Sequence, residues 1–428
     1  MLIVSTSGQV TRVANARSEL YVSVSSTNRI RIYDSETLAE LRSWSSDRPK
    51  QIAVDNQSNL WILQSKDASN PPKIPHYSKT GTLLSKQITD VVDPTALAID
   101  NQDRLLVADN CPRQQVLIYD ISGTPKLIGT FATLGSIYSG TSGEVGEARL
   151  NGLIGVGTDK AVNIYVSNYG FASSGTDLRK FSHLGKMQWQ LLDLQFVDNA
   201  DAYPGTDGLD LFTKQEHFRM DYSKSNGQEW TYKGYTADKF RYHDDPRLHN
   251  QNPSATSVFV RRIKAQRFLY LIGMFANQLS VYRMKEEFAV PSAIFAREHS
   301  TWPTHQPATG SWLWCHKNGD GSIQNDDYES LGAADGSIWG WEVNSKGDIW
   351  PTPGSGFIGH YRYLGWNAYG SPNYIGSASE VLPMPAPFNK LERIKYFPEE
   401  EDAKAKVIMY QLTSNNSVNR AKLTLTSL

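Results

Sequence analysis

One segment of the sequence carries oxygen-bearing side chains at the spacing of a calcium-binding loop. It runs from 316 to 327. Ca²⁺ prefers oxygen ligands at alternate positions of a 12-residue loop, and a glycine at the sixth position, here Gly321, permits the sharp bend. The pattern therefore predicts a Ca²⁺ ion held by Asn318, Asp320, Ser322, Gln324 and Asp327.

The first position of this loop departs from the pattern. His316 stands where an aspartate is expected. An imidazole there removes a charge and a hard oxygen ligand, which weakens Ca²⁺ binding. A second interpretation stays open, in which the segment is a degenerate EF-hand-like loop kept as a turn by Asn and Asp side chains that hydrogen-bond their own backbone. If an ion is bound, we expect it to stabilise an insertion rather than to perform catalysis.

A second group of polar residues lies at the ends of predicted strands. Carboxylate and amide oxygens together suit a divalent cation with open positions, which polarises a carbonyl group or acidifies a bound water. The ordinary alternative is that these residues form turns, because Asp-Asn and Asn-Gly pairs are common there. The group consists of Asp109, Asn110, Asn151, Asn168, Asp207 and Asn277.

A third group places a carboxylate beside an imidazole, in the run from Lys214 to His217. Such a pair could serve as acid and base, but adjacent residues on a strand point to opposite faces. We therefore expect His217, and the histidines elsewhere at His183, His243 and His249, to be surface residues or buried hydrogen-bond partners.

Aromatic side chains form the fourth group, with 11 Trp, 21 Tyr and 15 Phe in the chain. Rings at a rim stack on sugars or accept anchors from a protein partner. Rings within strands, such as that of Trp61, are explained by packing. The candidates for ligand binding lie in two long segments and are Trp302, Trp312, Trp314, Trp230, Tyr232 and Tyr235.

A short repeated unit supplies the strands that would position these residues. Its clearest copy has apolar runs at 97–100, 105–110 and 115–120, and short alternating runs between Asn, Asp and Gly turns indicate half-buried strands. Such a unit cannot bury its own apolar face, and a repeat of roughly 40 to 50 residues is typical of propeller blades. Copies begin near Val13, Ile52, Leu97, Ile154, Val258, Trp341 and Ile394.

The repeat predicts one all-β domain over 1–428, a β-propeller of seven blades, with six blades as the alternative. A strand at 2–4 would pair with the last blade and close the ring, which removes two exposed edges. The segments at about 186–253 and 298–335 are too long for plain blades, and we expect them to be insertions that project from one rim.

Composition excludes several classes of function. With 43 basic and 44 acidic residues, no net field attracts the chain to nucleic acid. No stretch approaches the roughly 18 apolar residues of a membrane span. No nucleophile elbow, phosphate loop or dinucleotide fingerprint occurs, so no organic cofactor is predicted. The compartment stays open: secreted if a signal was removed, otherwise cytoplasmic.

The copy at 94–120 resembles an NHL-type blade, and the Asn-Gly strand at 151–168 resembles those of gluconolactonase/regucalcin-like propellers. The resemblance covers nearly the whole chain and implies a propeller architecture. It also implies that lactonase members hold a divalent cation on the channel axis with Glu, Asn, Asn and Asp. Asn151 matches one asparagine and Asp207 matches the aspartate more loosely. Ser5, Ser7 and Gln9 stand where the glutamate is expected.

Two functions follow from these patterns. The favoured one is a binding scaffold that presents rim loops to a carbohydrate or a protein, with any Ca²⁺ serving the structure. The alternative is a metal-dependent lactonase or related hydrolase, in which Asn151 and Asp207, with Asp109 or Asn110, hold a cation that polarises the ester carbonyl. The incomplete ligand set favours the scaffold.

Overall fold

The structure is a computed structural model of the chain. The predicted strand at 2–4, and with it the predicted ring closure, lies outside the described residues. These run from 10 to 424 except for 17, 170–175, 194–198, 250–254, 274, 333–337, 354–356, 377–379, 385, 387, 389–390, 392, 398–405 and 413–417.

The chain divides into two compact units. The first comprises Met1–Gly140 and Val145–Gln195, and the second comprises Thr141–Glu144 and Phe196–Leu428. Each unit has its own sheets and its own apolar clusters. The single domain over 1–428 stays a prediction.

The first unit consists of four four-stranded antiparallel sheets, each a meander of consecutive strands. The strands are β1 (Val10–Ala16), β2 (Glu19–Val24), β3 (Arg29–Asp34), β4 (Glu40–Ser45), β5 (Pro49–Val54), β6 (Leu60–Gln64), β7 (Ile74–Tyr77), β8 (Leu83–Ile88), β9 (Pro94–Ile99), β10 (Arg104–Asp109), β11 (Gln115–Asp120), β12 (Lys126–Phe131), β13 (Leu153–Thr158), β14 (Ile164–Tyr169), β15 (Thr176–Phe181) and β16 (Met187–Asp193).

Strand β10 shows why such sheets stack face to face. Successive side chains of a strand point to opposite faces, and here both faces are apolar. Leu105 and Val107 pack with Trp61 of the preceding sheet, whereas Leu106 and Ala108 pack with residues of the following sheet. A sheet that is buried on both faces needs a neighbour on each side.

The first strands of successive sheets also lie beside one another, β1 beside β5, β5 beside β9, and β9 beside β13. Meanders that stack face to face with their first strands side by side are the blades of a propeller. The fold is therefore an all-β propeller, as the repeat predicts. The number of blades stays a prediction.

The described strands of the second unit form sheets of four, six, two, two and three strands. They are β17 (Asp201–Ala202), β18 (Asp210–Phe212), β19 (Glu216–Met220), β20 (Trp230–Tyr235), β21 (Ala255–Ile263), β22 (Gln266–Gly273), β23 (Gln278–Lys285), β24 (Phe288–Ala296), β25 (Ser311–Cys315), β26 (Tyr328–Gly332), β27 (Ile338–Val343), β28 (Ile349–Pro353), β29 (Phe357–His360), β30 (Glu380–Pro383), β31 (Arg393–Phe397), β32 (Lys406–Leu412) and β33 (Val418–Thr424), with one short helix, α1 (Pro246–His249).

Both predicted insertions contain sheet structure. Within 186–253, strands β17 to β20 form a complete four-stranded meander, and within 298–335, β25 and β26 extend the sheet β21–β24 to six strands. The sequence of β17 to β20 lacks the long apolar runs of the other copies, because its first two strands are only two and three residues long. In the part of the chain that the structure describes, no helix is long and apolar enough to cross a membrane.

An aspartate, an aromatic ring and a histidine form a stacked triad in the second sheet of the first unit. The ring of Trp61 on β6 lies parallel to that of His76 on β7, with centroids 4.3 Å apart. Asp55, in the turn before β6, is 2.9 Å from His76 Nε2. The three side chains connect β6, β7 and the turn between β5 and β6. The ring of Trp61 is fully buried.

The second unit repeats this triad. Trp350 on β28 stacks on His360 of β29 with centroids 3.8 Å apart, and Asp348 precedes β28 with its carboxylate 3.5 Å from His360 Nε2. The same residue types therefore stabilise one sheet in each unit, and packing explains the tryptophan and the histidine of both triads.

Candidate functional site

A cleft of about 390 Å³ in the second unit is the best-formed candidate site. It is bounded by β25 with the loop that follows, by β26, and by the segment 367–375. Its apolar wall consists of Leu313, Cys315, Pro372, Tyr374 and Ile375, and its polar side consists of His316, Lys317, Asp327, Tyr328, Glu329, Asn367 and Asn373. We call it the His316 cleft.

Cys315 is the only thiol on this cleft, and it is not a nucleophile. Burial raises the pKa of the Cys315 thiol to about 12. A thiol with that pKa is protonated at neutral pH, whereas nucleophilic cysteines are thiolates. Cys315 therefore contributes to the apolar wall.

His316 brings a buried nitrogen without a partner to the cleft. Its Nε2 accepts a hydrogen bond from the Gly321 backbone N–H at 3.0 Å and lies 2.8 Å from Asp320 Oδ1. If Nε2 accepts, the proton of the neutral ring is on Nδ1, and in the charged ring Nδ1 is also protonated. In these states Nδ1–H is a donor, whereas in a neutral ring that donates Nε2–H to Asp320 the Nδ1 atom is an acceptor. In every case Nδ1 has no hydrogen-bond partner among the described residues.

Asp327 and Tyr328 add two more such atoms. Asp327 Oδ1 lies 3.4 Å from Lys317 Nζ, whereas the buried Oδ2 has no partner in the described part of the chain. The buried hydroxyl of Tyr328 is likewise unpartnered there. Burial raises the pKa of Tyr328, so this hydroxyl is neutral and can both donate and accept.

The opposite wall is held in place by Asn367. Its Nδ2 donates to the His316 carbonyl oxygen at 2.8 Å, and its Oδ1 accepts from the backbone N–H groups of Tyr369 and Ser371. Asn367 thus closes its own turn and joins it to the loop that carries His316. Hydrogen bonds of Asn367 therefore fix this wall of the cleft.

The predicted calcium ligands converge on Asp320. Its carboxylate accepts hydrogen bonds from the Ser322 backbone N–H at 2.7 Å and from the side-chain amides of Asn318 and Gln324, each at 3.0 Å. Burial opposes ionisation, yet these donors and His316 lower the pKa of Asp320 overall.

The fifth predicted ligand, Asp327, is beside Lys317 instead. The hydrogen bonds are thus those of the turn interpretation, since amide nitrogens rather than oxygens face Asp320. Over the described residues, no group of three or more His, Cys, Asp or Glu side chains could hold a metal ion. Ca²⁺ in this loop stays a prediction.

Asp109, the first residue of the predicted channel group, is fully buried at the end of β10. Its carboxylate accepts hydrogen bonds from the backbone N–H groups of Val92 at 3.2 Å and Asp93 at 2.7 Å, and it pairs with Arg113 at 3.0 Å. Both oxygens are occupied. Asp109 holds the segment before β9 in place, which is a structural role.

Asn110 and Asn151 lie at two ends of one polar network in the first unit. Asn110 Oδ1 accepts from Gln114 Nε2 at 2.7 Å, and Gln114 Oε1 accepts from the Gly152 backbone N–H at 3.0 Å. Asn151 Oδ1 accepts from the Tyr138 hydroxyl at 2.6 Å. The structure therefore brings the predicted 109–110 and 151–152 segments together, through hydrogen bonds that use their side chains.

The remaining residues of this group are dispersed. Asn168 is buried, donates to Asp177 at 3.3 Å, and leaves its Oδ1 unpartnered among the residues described. Asp207 is exposed and has a left-handed backbone (φ 54°) after the 3-10 turn Pro204–Thr206. Asn277 is in the turn between β22 and β23, where its carbonyl accepts from the Arg297 backbone N–H. Asp207 and Asn277 fit the turn interpretation.

The aromatic prediction is wrong for Trp312 and Trp314. Both are fully buried on β25, which pairs with a strand on each side, so neither ring is open to a ligand. Trp302 is half-buried and stacks on His249 with centroids 4.8 Å apart. Trp230 is 43 % exposed and stays a candidate. Trp312, Leu313 and Trp314 are consecutive apolar residues of a strand whose two faces are both buried, not residues of a loop.

Glu216 and His217 are both buried, which confirms one of the two roles expected for this histidine. His217 lies 2.7 Å from Glu287 and 3.2 Å from Asp210. Burial raises the pKa of Glu216 to about 7, opposed by a hydrogen bond with Thr213, and its Oε2 has no partner in the described chain.

Sequence reasoning missed the His316 cleft because its polar residues come from three separate segments. The one available signal was His316 itself, an imidazole at a position where the loop pattern expects a carboxylate. Tyr328 and Asn367 carried no signal, since neither belongs to a recognisable motif.

No protein-family model matches the sequence, and no curated protein matches it. Solved structures with a similar fold include Kuenenia stuttgartiensis hydrazine synthase (11 % identity, TM-score 0.31, covering 95 % of this chain and 92 % of that one). Others are a gluconolactonase-family structure (15 %, 0.31, 51 % and 70 %) and the C-terminal WD40 domain of Sif2 (11 %, 0.32, 82 % and 80 %). At these values the similarities carry no argument about activity, and the specific NHL or gluconolactonase resemblance stays a prediction.

Proposed function

We propose that this propeller is a binding module that holds a carbohydrate in the His316 cleft. The observation that carries the proposal is the set of three buried polar atoms without described partners on residues of that cleft: His316 Nδ1, Asp327 Oδ2 and the Tyr328 hydroxyl. Leaving such an atom unpaired costs about 1–3 kcal/mol, and a ligand that pairs all three would recover that free energy on binding.

Carbohydrate chemistry suits this set. A sugar hydroxyl both donates and accepts, so one kind of group can satisfy His316 Nδ1 in either tautomer as well as the Asp327 Oδ2 acceptor. A sugar ring also has an apolar face, which matches the wall that includes Tyr374 and Ile375. A cleft with an apolar wall and a few convergent polar groups is the usual form of a small-molecule site.

The lactonase alternative lacks a matching set of unpartnered ligand atoms among its predicted residues. Both oxygens of Asp109 and the amide oxygen of Asn151 already accept hydrogen bonds, and Asp207 is an exposed turn residue. A catalytic metal needs ligand oxygens that are free to coordinate it. Metal-dependent hydrolysis stays an untested prediction, and the binding module is the function that these contacts favour.

The test is calorimetric titration of the whole chain with a panel of mono- and oligosaccharides, repeated on Asp327→Asn. This variant keeps the shape but removes the charged acceptor, so the dissociation constant should rise roughly 10- to 100-fold. Asp221→Asn is the matched control, because Asp221 is exposed and does not line the cleft. The proposal fails if no sugar of the panel binds, or if the two variants bind equally well.

A further inference from the structure

A second pocket, of about 400 Å³, lies in the first unit, where the turn after β2 and the end of β4 face β6 and β7. Its polar lining includes Ser46, Asp47, Gln64, Lys73 and Tyr77. We call it the Gln64 pocket. None of these residues belongs to a motif recognised in the sequence, and none is part of the His316 cleft.

Gln64 is the floor of this pocket. It is 3 % exposed, and its Nε2 makes only long contacts, 3.3 Å to Ser46 Oγ and 3.5 Å to the Tyr77 hydroxyl. Its Oε1 is buried and has no partner among the residues that the structure describes.

The unpaired atom does not depend on how the amide is oriented. Rotating the amide by 180° would turn the carbonyl oxygen toward Ser46 and Tyr77, whose hydroxyls can donate, and would leave the NH₂ group unpaired instead. In either orientation one polar atom of Gln64 lacks a partner. A ligand group that can donate or accept, a hydroxyl or a carboxamide, satisfies both cases.

The remainder of the pocket carries two opposite charges. Lys73 is half-buried, and no carboxylate among the described residues forms an ion pair with it. Asp47 has a side chain that is 54 % exposed, and its two oxygens accept hydrogen bonds from Arg48 at 3.1 and 2.7 Å, each with a lone pair left for a second donor. A partly screened carboxylate and a free ammonium group on one small pocket complement a molecule that carries both charges itself.

We propose that the Gln64 pocket binds a small zwitterion, a free amino acid whose side chain ends in a hydroxyl or a carboxamide. The carboxylate of the ligand pairs with Lys73, its ammonium group with Asp47, and its side chain bonds Gln64. This inference is independent of the carbohydrate proposal, because it concerns other residues in the other unit.

The experiment is a titration of the whole chain with L-glutamine and L-serine, followed by ligand-observed NMR, with L-alanine as the probe that lacks the polar side-chain group. We expect saturable binding of glutamine or serine at micromolar to low millimolar concentration, and at least 10-fold weaker binding of alanine. Gln64→Met should reduce this preference by about the same factor, since methionine keeps the volume and removes the amide.

Lys73→Gln provides a second test, at a half-buried position where the substitution keeps the backbone pairing with Gln64. It should weaken all three amino acids at least 10-fold, whereas Lys79→Gln, at an exposed lysine that does not line the pocket, should leave binding unchanged. Asp327→Asn in the His316 cleft should also have no effect, which separates this proposal from the previous one. The proposal is overturned if none of the amino acids binds saturably, or if Lys73→Gln binds as tightly as Lys79→Gln.

Discussion

The two units differ in how they hold their carboxyl groups. In the first unit, Arg42 donates two hydrogen bonds of 2.7 Å to Glu19 and lowers the pKa of Glu19 to about 2. In the second unit, burial raises the pKa of Glu216 to about 7, and burial also raises the pKa of Asp238 and Glu342. Among the described residues, every carboxyl group with a raised pKa lies in the second unit.

This difference in carboxyl pKa distinguishes sheets without buried, destabilised carboxyl groups from sheets that contain them. A buried carboxyl group without a cationic partner costs stability, so it persists where it serves a site. The second unit holds Glu216 and the His316 cleft with the unpartnered Oδ2 of Asp327, whereas in the first unit the described carboxyl groups with a shifted pKa all have it lowered. We infer that the first unit serves mainly as a scaffold, apart from the Gln64 pocket. In the second unit, we infer, buried polar groups that lower the stability of the fold are kept because they serve a site.

Packing should not distinguish the units, and the two triads test this. Trp61→Ala and Trp350→Ala each remove a ring that is at least 99 % buried and stacked on a histidine. Each should lower the free energy of unfolding by about 3–5 kcal/mol, the usual cost of deleting a buried tryptophan. Urea unfolding monitored by circular dichroism measures both values.

The matched control for these two variants is Trp230→Ala, because Trp230 is 43 % exposed. It should cost less than about 1 kcal/mol. If one triad variant is as mild as this control while the other costs about 3 kcal/mol or more, then the two units differ in packing and not only in their carboxyl groups.

The pH dependence of stability should differ most between the units because of Glu216. Its pKa is about 7 in the folded protein and about 4.5 when unfolded, so between these values the folded state binds more protons. The free energy of unfolding should therefore fall as pH rises from about 4.5 to about 7, by on the order of 3 kcal/mol at most. Glu216→Gln should remove this slope and should be more stable than the unmodified chain at pH 8.

Chemical unfolding of both proteins between pH 4 and pH 8 checks this result. Glu298→Gln is the control, since Glu298 is exposed in the same unit and should leave the slope unchanged. Parallel pH profiles for the unmodified chain and Glu216→Gln would show that Glu216 gains no proton on folding.

The strands could be predicted from the sequence because their alternation is local. The predicted starts at Val13, Ile52, Leu97, Ile154, Val258, Trp341 and Ile394 all fall within first strands of sheets, β1, β5, β9, β13, β21, β27 and β31. The sheet β17–β20 could not be predicted from the sequence, because a strand of two residues such as Asp201–Ala202 is too short to show an alternation of apolar and polar residues. Pairing with its neighbours, rather than its own pattern, makes it a strand.

The sites could not be predicted in the same way, because they depend on which segments meet. Asp109 and Asn151 have the residue types of a metal site, but their oxygens are used by Asp93 and Tyr138, which lie elsewhere in the sequence. Gln64 is an unremarkable strand end until Ser46 and Tyr77 are placed around it. Residue type indicated chemistry, and only the fold showed which polar atoms remain unpaired.

The smallest expected effect concerns Glu19, where the first unit should respond to acid in the opposite direction. Because Arg42 and Tyr21 stabilise the ionised form, the pKa of Glu19 falls from 4.5 to about 2. Its contribution is fully present above pH 4.5 and is lost as pH falls toward 2. Solvent screens a side chain that is 24 % exposed, so this contribution is below about 1 kcal/mol.

Glu19→Gln should therefore lower the free energy of unfolding slightly at pH 7 and not at pH 2, as measured by urea unfolding. Glu36→Gln, at an exposed position of the same unit, should have no pH-dependent effect. If Glu19→Gln instead raises stability at pH 7, this carboxylate is unfavourable in the fold, and the contrast between the units disappears.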